Sequence, residues 1–144
     1  MPRTIETFRG DYFFLSNFFD VDLITADGLY WRNAECLYQA LKCARYKDRE
    51  QFCTLSGKDA KALGQEIRCV KNWDTLRVQQ MRSVLALKFN SVCNAKVSRM
   101  LFDTGHARLI HGNTHGDTFW GVTADGIGAN ILGLLLMERR TLLH

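Results

Sequence analysis

The feature that most restricts what this chain can fold into is a change of hydrophobic period at Asn33. Before it, residues 8 to 32 read as aromatic-rich and extended. Tyr12-Phe13-Phe14-Leu15 leads into Ser16-Asn17, and Val21-Asp22-Leu23-Ile24 and Leu29-Tyr30-Trp31 flank Ala26-Asp27-Gly28. Asp-Gly between two such runs predicts a hairpin, because the turn needs a residue that tolerates positive φ. After Asn33 the apolar residues recur at three and four. Asn33 caps a helix whose Ala34, Leu37, Tyr38, Leu41 and Ala44 share one side, ending near Arg45. A short segment opened by Lys47 or Asp48 reaches Leu55. Ser56 caps Lys58 to Ile67, and Asn72 caps a longer run with Leu76, Met81, Val84, Leu85 and Phe89 as its stripe. Asn94 to Thr104 is closed by Gly105, and a last helix runs from about Ala129 to Leu142. This pattern predicts a mainly α fold, a helical bundle with a small N-terminal β-hairpin, and 144 residues suit one domain over 1–144.

Several function classes drop out on composition. The longest apolar run, Ile131 to Met137, falls far short of the roughly 18 residues a membrane span needs. The first residues lack the apolar core of a secretory signal, so the expected location is the cytoplasm. Cys36, Cys43, Cys53, Cys69 and Cys93 form no C-x-x-C pair, which argues against a disulfide framework or a zinc site and for reduced thiols used in packing. A balance of 19 Lys+Arg against 15 Asp+Glu suits an anionic small ligand as well as nucleic acid.

Four groups of polar residues look out of place for packing alone. Glu35, Gln39 and Lys42 fall at i, i+4 and i+7 and so share a helix side, either as a solvated surface or as a carboxylate and an amine lining a pocket. A partly desolvated amine there would be a nucleophile. His111-Gly112-Asn113-Thr114-His115-Gly116-Asp117-Thr118-Phe119-Trp120-Gly121 is a long polar loop of the kind that approaches ligands closely. Its two histidines lack a third ligand for a metal, and no cofactor is called for. Gly126-Ile127-Gly128-Ala129-Asn130 opens the last helix, as a plain turn or as a phosphate contact. Ser16-Asn17 offers short donors to a ribose or phosphate.

Together these segments resemble the NADAR domain family, which includes the YbiA-like N-glycosidases. The likeness runs from about Phe8 to Arg140. Tyr12 to Phe18 is similar to the family's LSNF segment, and Asn33 to Lys42 to its helix carrying Glu, Gln and Lys. Ala60-Lys61-Ala62-Leu63-Gly64 and Trp73, Arg77, Met81, Leu87, Lys88 and Phe89 resemble its central motifs. Asp117, Phe119-Trp120-Gly121 and Gly128, Asn130, Leu132-Gly133, Leu136-Met137 and Arg140 resemble its last ones. Many relatives carry Glu after the apolar pair of the late loop and an aromatic just before the Asp. Here Leu109-Ile110 is followed by His111, and His115 sits two before Asp117. These departures bear on recognition of the base, since a histidine donates, accepts or stacks.

The resemblance implies a mainly helical fold and hydrolysis of an N-glycosidic bond between ribose and a base. The implied substrates are ribosylamino-pyrimidine phosphates of riboflavin synthesis or ADP-ribose on guanine in nucleic acid. It implies that Glu35, Trp73 and Asp117 are the pocket glutamate, tryptophan and aspartate, and that Lys42 is the lysine of a Schiff-base route. C1′–N cleavage builds positive charge on the sugar, so Glu35 and Asp117 would stabilise it, orient water or protonate the base. Trp73 would be a flat wall, with Phe119 and Trp120 holding the loop or touching substrate. Ser16, Asn17, Gln39, Asn130 and the Gly128 region are the candidate substrate contacts, with Arg9 or Arg140 as further cations. A module that binds NAD or ADP-ribose without cleaving it is the alternative. A structural nucleic-acid module rests on net charge alone.

Overall fold

The computed structural model describes residues 3–143. Helices dominate it: α1 (Ala34–Leu41), α2 (Gly57–Gly64), α3 (Trp73–Lys88), α4 (Ala95–Phe102) and α5 (Ile131–Thr141). Strands β1 (Thr4–Ile5), β2 (Asp20–Ile24), β3 (Tyr30–Asn33) and β4 (Arg108–Leu109) form two small sheets. The hairpin lies where Asp27-Gly28 places it: β2 and β3 are antiparallel, Gly28 takes φ 87°, and Asp27 Oδ1 accepts from Leu29 N at 3.2 Å. β1 pairs in parallel with β4, bringing the chain start beside the late loop. Two-residue strands leave no periodic trace, so this pairing is illegible in sequence.

Several boundaries differ from expectation, each for a local reason. Tyr12-Phe13-Phe14-Leu15 is a 3-10 helix over Gly10–Leu15, not extended chain. Gly10 at φ 57° turns the backbone, and the tight coil buries Phe14 and Leu15 together. α1 stops at Leu41, because Cys43 leaves to bridge Cys69, and residues 46–52 make two 3-10 turns. α2 ends at Gly64, short of Ile67, while Ser56 Oγ caps it through Asp59 N at 3.1 Å. Asn72 and Asn130 do not cap with their side chains; both sit at positive φ (64° and 52°), and α5 starts at Ile131 rather than Ala129. Asn94 also leaves its own helix uncapped and instead donates to the carbonyls of Asp22 and Lys88, both at 3.0 Å.

The core is one continuous cluster. Trp31, Leu37, Phe52, Val84, Leu85, Phe89, Leu101, Leu109 and Leu136 are all essentially inaccessible. α1 lies at its centre, so residues 34–40 are buried on every side. That burial turns Glu35 and Gln39 from surface groups into interior ones. No helix among the described residues is long and apolar enough to cross a membrane.

Candidate active site

α1 carries a polar ladder through this interior. Gln39 Nε2 donates to Glu35 Oε1 at 2.7 Å, and Lys42 Nζ donates to Gln39 Oε1 at 3.1 Å and to the Gly64 carbonyl at 3.2 Å. The i, i+4, i+7 spacing is therefore a hydrogen-bonded relay. Glu35 is 7% exposed, and loss of water pushes its carboxyl above the usual range. The Gln39 hydrogen bond and the charges of Lys61 and Lys42 oppose that rise, and the Asp117 charge adds to it. A carboxyl placed so holds its proton more tightly than one in water.

α2 packs close enough to set the ladder. Ala60 is fully buried, and a Cβ at Gly64 would collide with Gln39 Oε1. Gly64→Ala is expected to push Gln39 off its partners and cut turnover roughly tenfold, the worth of about one buried hydrogen bond. Circular dichroism should show an unchanged fold. Wild-type turnover in the variant would mean the ladder is idle.

A cavity of about 230 Å³ has Phe13, Ser16, Asn17, Phe18, Lys61, His111 and His115 among its walls. The Ser16-Asn17 wall is held from three directions. Lys88 Nζ donates to the Ser16 carbonyl at 2.8 Å, Phe18 N donates to Ser16 Oγ at 3.1 Å, and Glu35 N donates to the Asn17 carbonyl at 3.0 Å. Asn17 Oδ1 and His111 Nδ1 are buried without partners among the described residues. Two unsatisfied polar atoms on residues that line one cavity mark a place where a ligand would supply hydrogen bonds. His111 stacks on Phe8 with centroids 5.3 Å apart, and burial lowers its pKa, against the raising effect of Asp117. Arg9, Gly112 and Asn113 also border a second cavity of about 360 Å³, so the two cavities share a wall.

Asp117 is fixed by the late loop. Its Oδ1 accepts from Phe119 N at 3.1 Å and Trp120 N at 2.9 Å, while Asn113 Oδ1 accepts from Asp117 N at 2.9 Å. The second carboxylate oxygen has no protein partner among the described residues. The Asp117 charge acts on both Glu35 and His111, so the loop carboxylate lies within electrostatic reach of the ladder and of a cavity wall residue.

Other expected residues fall elsewhere. Trp73 packs on Tyr38 at 5.4 Å between ring centroids, and Trp120 meets the same ring edge-on at 5.6 Å. Phe119 stands against Trp120 and under the Arg77 guanidinium, 3.5 Å from its ring centre. These aromatics brace Tyr38, one turn from Glu35, and do not line the cavity. Asn130 Nδ2 donates to the Leu109 carbonyl and its Oδ1 accepts from His111 N, both at 2.9 Å, so its amide is spent on placing His111. The N–H groups of Ala129, Ile131 and Leu132 donate to the carbonyls of Thr118, Phe119 and Trp120, so the α5 start docks the loop and offers phosphate little. Arg140 donates to Thr104 Oγ1 and the Ala107 carbonyl, while Arg9 is a cation on the cleft wall.

Sequence reasoning passed over Lys61 as a site residue. It is the cation whose charge acts most strongly on Glu35, it also acts on His111, and it lines the cavity. The available signal was the small pair Ala60 and Gly64 around it, which lets α2 approach α1. Lys88 was likewise read only as part of a motif.

A helical domain whose central helix carries a buried Glu–Gln–Lys ladder, with a late loop that fixes an aspartate within electrostatic reach of it, defines the class. The NADAR domain model matches residues 6–144, and the chain belongs to the NADAR domain family. It is 35% identical over 146 residues to "N-glycosidase YbiA" of Shigella flexneri, covering 97% of this chain and 89% of that one. A riboflavin biosynthesis protein of Vibrio vulnificus is 33% identical over 132 residues, 88% of this chain but 34% of that protein. The NMR structure of the E. coli protein YbiA superposes with a TM-score of 0.82 at 34% identity, covering 99% of this chain and 86% of that one.

Proposed function

We propose that this chain is an N-glycosidase that hydrolyses the bond between C1′ of a phosphorylated ribose and a base. The observation that carries the reading is Glu35, a buried carboxyl with a raised pKa that feels the Asp117 charge and whose N–H donates to the carbonyl of Asn17, a wall residue of the cavity. Cleavage of C1′–N leaves electrons on the base and positive charge on the sugar. Glu35, protonated, donates its proton to the departing nitrogen. Asp117, its Oδ1 fixed by two backbone N–H groups, turns its other oxygen to the sugar cation and the attacking water. Asn17 Oδ1 takes a ribose hydroxyl, and Arg9 and Lys61 face phosphate. Relatives named N-glycosidase support the reaction class.

The same site accommodates an imine route. A neutral lysine amine attacks C1′, the base leaves with a proton, the opened sugar stays as an imine, and water hydrolyses it. Lys42, the lysine implied by family resemblance, would have to leave Gln39 and the Gly64 carbonyl, whereas Lys61 already lines the cavity. Borohydride added during turnover separates the routes: a reduced adduct on Lys42 or Lys61 makes that residue the nucleophile, and no adduct leaves direct hydrolysis.

For the substrate, the neighbouring second cavity favours ADP-ribosyl guanine, while the name of the Vibrio relative favours a ribosylamino-pyrimidine phosphate. Release of ADP-ribose or of ribose 5-phosphate, followed by chromatography and mass against Glu35→Ala, decides between them. Binding of either with no free base released would make the chain a non-catalytic ADP-ribose or NAD module.

A further inference from the structure

Cys43 follows the last turn of α1, and Cys69 lies on the connection into α3. The fold sets them opposite each other in an antiparallel bridge. The flanking bonds run from Ala44 N to the Arg68 carbonyl at 2.9 Å and from Val70 N to the Lys42 carbonyl at 2.7 Å. The two cysteines therefore occupy the non-hydrogen-bonded position of the pair, where Cα atoms stand roughly 4.5 Å apart and both side chains leave on one side. A disulfide asks for Cα atoms about 4.4–6.8 Å apart, so it would close here without moving the backbone. Charge on the Cys69 sulfur acts on the Cys43 thiol, as expected of neighbours. Cys43 is buried and Cys69 exposed, which gives an oxidant access to one member and keeps the other in reserve. Among the described residues, no cysteine faces Cys36, Cys53 or Cys93 in a backbone bridge.

We propose that Cys43 and Cys69 form a redox site that closes to a cross-strand disulfide under hydroperoxide. The Cys69 thiolate attacks the peroxide, the O–O bond breaks, and Cys69 becomes a sulfenic acid with loss of hydroxide or alkoxide. The Cys43 thiolate, its proton passed to water, then attacks that sulfur, and the hydroxyl leaves as water. With hydrogen peroxide the balance is two thiols and one peroxide to one disulfide and two waters. The bond fastens residues 68–70 to the end of α1, where the Lys42 carbonyl already holds Val70. It also encloses α2 in a covalent loop. This proposal stands apart from the reaction at Glu35.

The test oxidises the full chain with a slight excess of hydrogen peroxide, followed by alkylation, intact mass, peptide mapping without reductant, and thermal melting. The expected result is the loss of two hydrogens, a linked peptide joining Cys43 to Cys69, and a Tm rise of about 10 °C that dithiothreitol reverses. Cys69→Ser, a change at an exposed side chain, should abolish all three, and Cys93→Ser none. Oxidation that stops on Cys69 while Cys43 stays alkylatable overturns the proposal, as does a bond through Cys93 or a closed bond that leaves Tm unmoved.

Discussion

Glu35→Gln is expected to lower base release by about 10²–10⁴-fold, the range for loss of a general acid. The amide keeps the shape and an oxygen to accept from Gln39 Nε2, so the helix and cavity remain. What disappears is the transferable proton. Wild-type turnover should fall as pH rises through the raised pKa of Glu35, because only the protonated form serves, and the residual release of the variant should lack that limb. The same substitution acts oppositely on stability. A carboxyl whose folded pKa exceeds its unfolded value favours folding in acid, and that advantage is lost as pH rises through the folded value. Glu35→Gln should therefore melt above the wild type at alkaline pH, with the gap closing below about pH 4, where both chains are neutral at this position. Thermal melts and pH–rate profiles on one set of samples check both halves. A variant that turns over normally, or melts in parallel with the wild type at all pH values, removes Glu35 from the role assigned to it.

Lys88→Met is expected to erase a gain in stability between pH 7 and 10 of about 4 kcal/mol. Lys88 is fully buried, donates among the described residues only to the Ser16 carbonyl, and lies 5.0 Å from the centre of the Phe89 ring. Burial lowers its pKa to about 7, against roughly 10.4 for a free lysine. Between those values the unfolded chain binds the proton and the folded one does not, so wild-type stability climbs with pH and levels off above about pH 10. Methionine fills the space without titrating but leaves the Ser16 carbonyl unsatisfied, at about 1–3 kcal/mol. The variant should thus be more stable than wild type below pH 7 and less stable near pH 10. Urea unfolding at stepped pH measures the crossing. Parallel curves would mean that Lys88 stays charged in the fold. Because Ser16 lines the cleft, the variant should also raise KM more than it lowers kcat.

The helical stretches were legible because each combines a 3.6 period with a recognisable opening residue, and the Asp27-Gly28 hairpin because few dipeptides favour that turn. The site was partly legible. Glu35, Gln39 and Lys42 share a side by arithmetic alone, and their mutual hydrogen bonds follow from it. Asp117 was marked by its loop. The roles of Trp73, Trp120 and Asn130 were not available from spacing, since nothing local says that two tryptophans grip Tyr38 or that the Asn130 amide is committed to Leu109 and His111.

The sequence by itself determined where the chain coils and which residues within one helix can touch, because those are properties of a few neighbouring positions. Tertiary structure alone decided which polar groups lose water. Packing on every side of α1 raises the pKa of Glu35, brings the Lys61 charge to bear on it from α2, strands Lys88 among aromatic rings and sets Cys43 opposite Cys69. Dehydration and proximity across elements depend on the whole chain, and no window of sequence contains them.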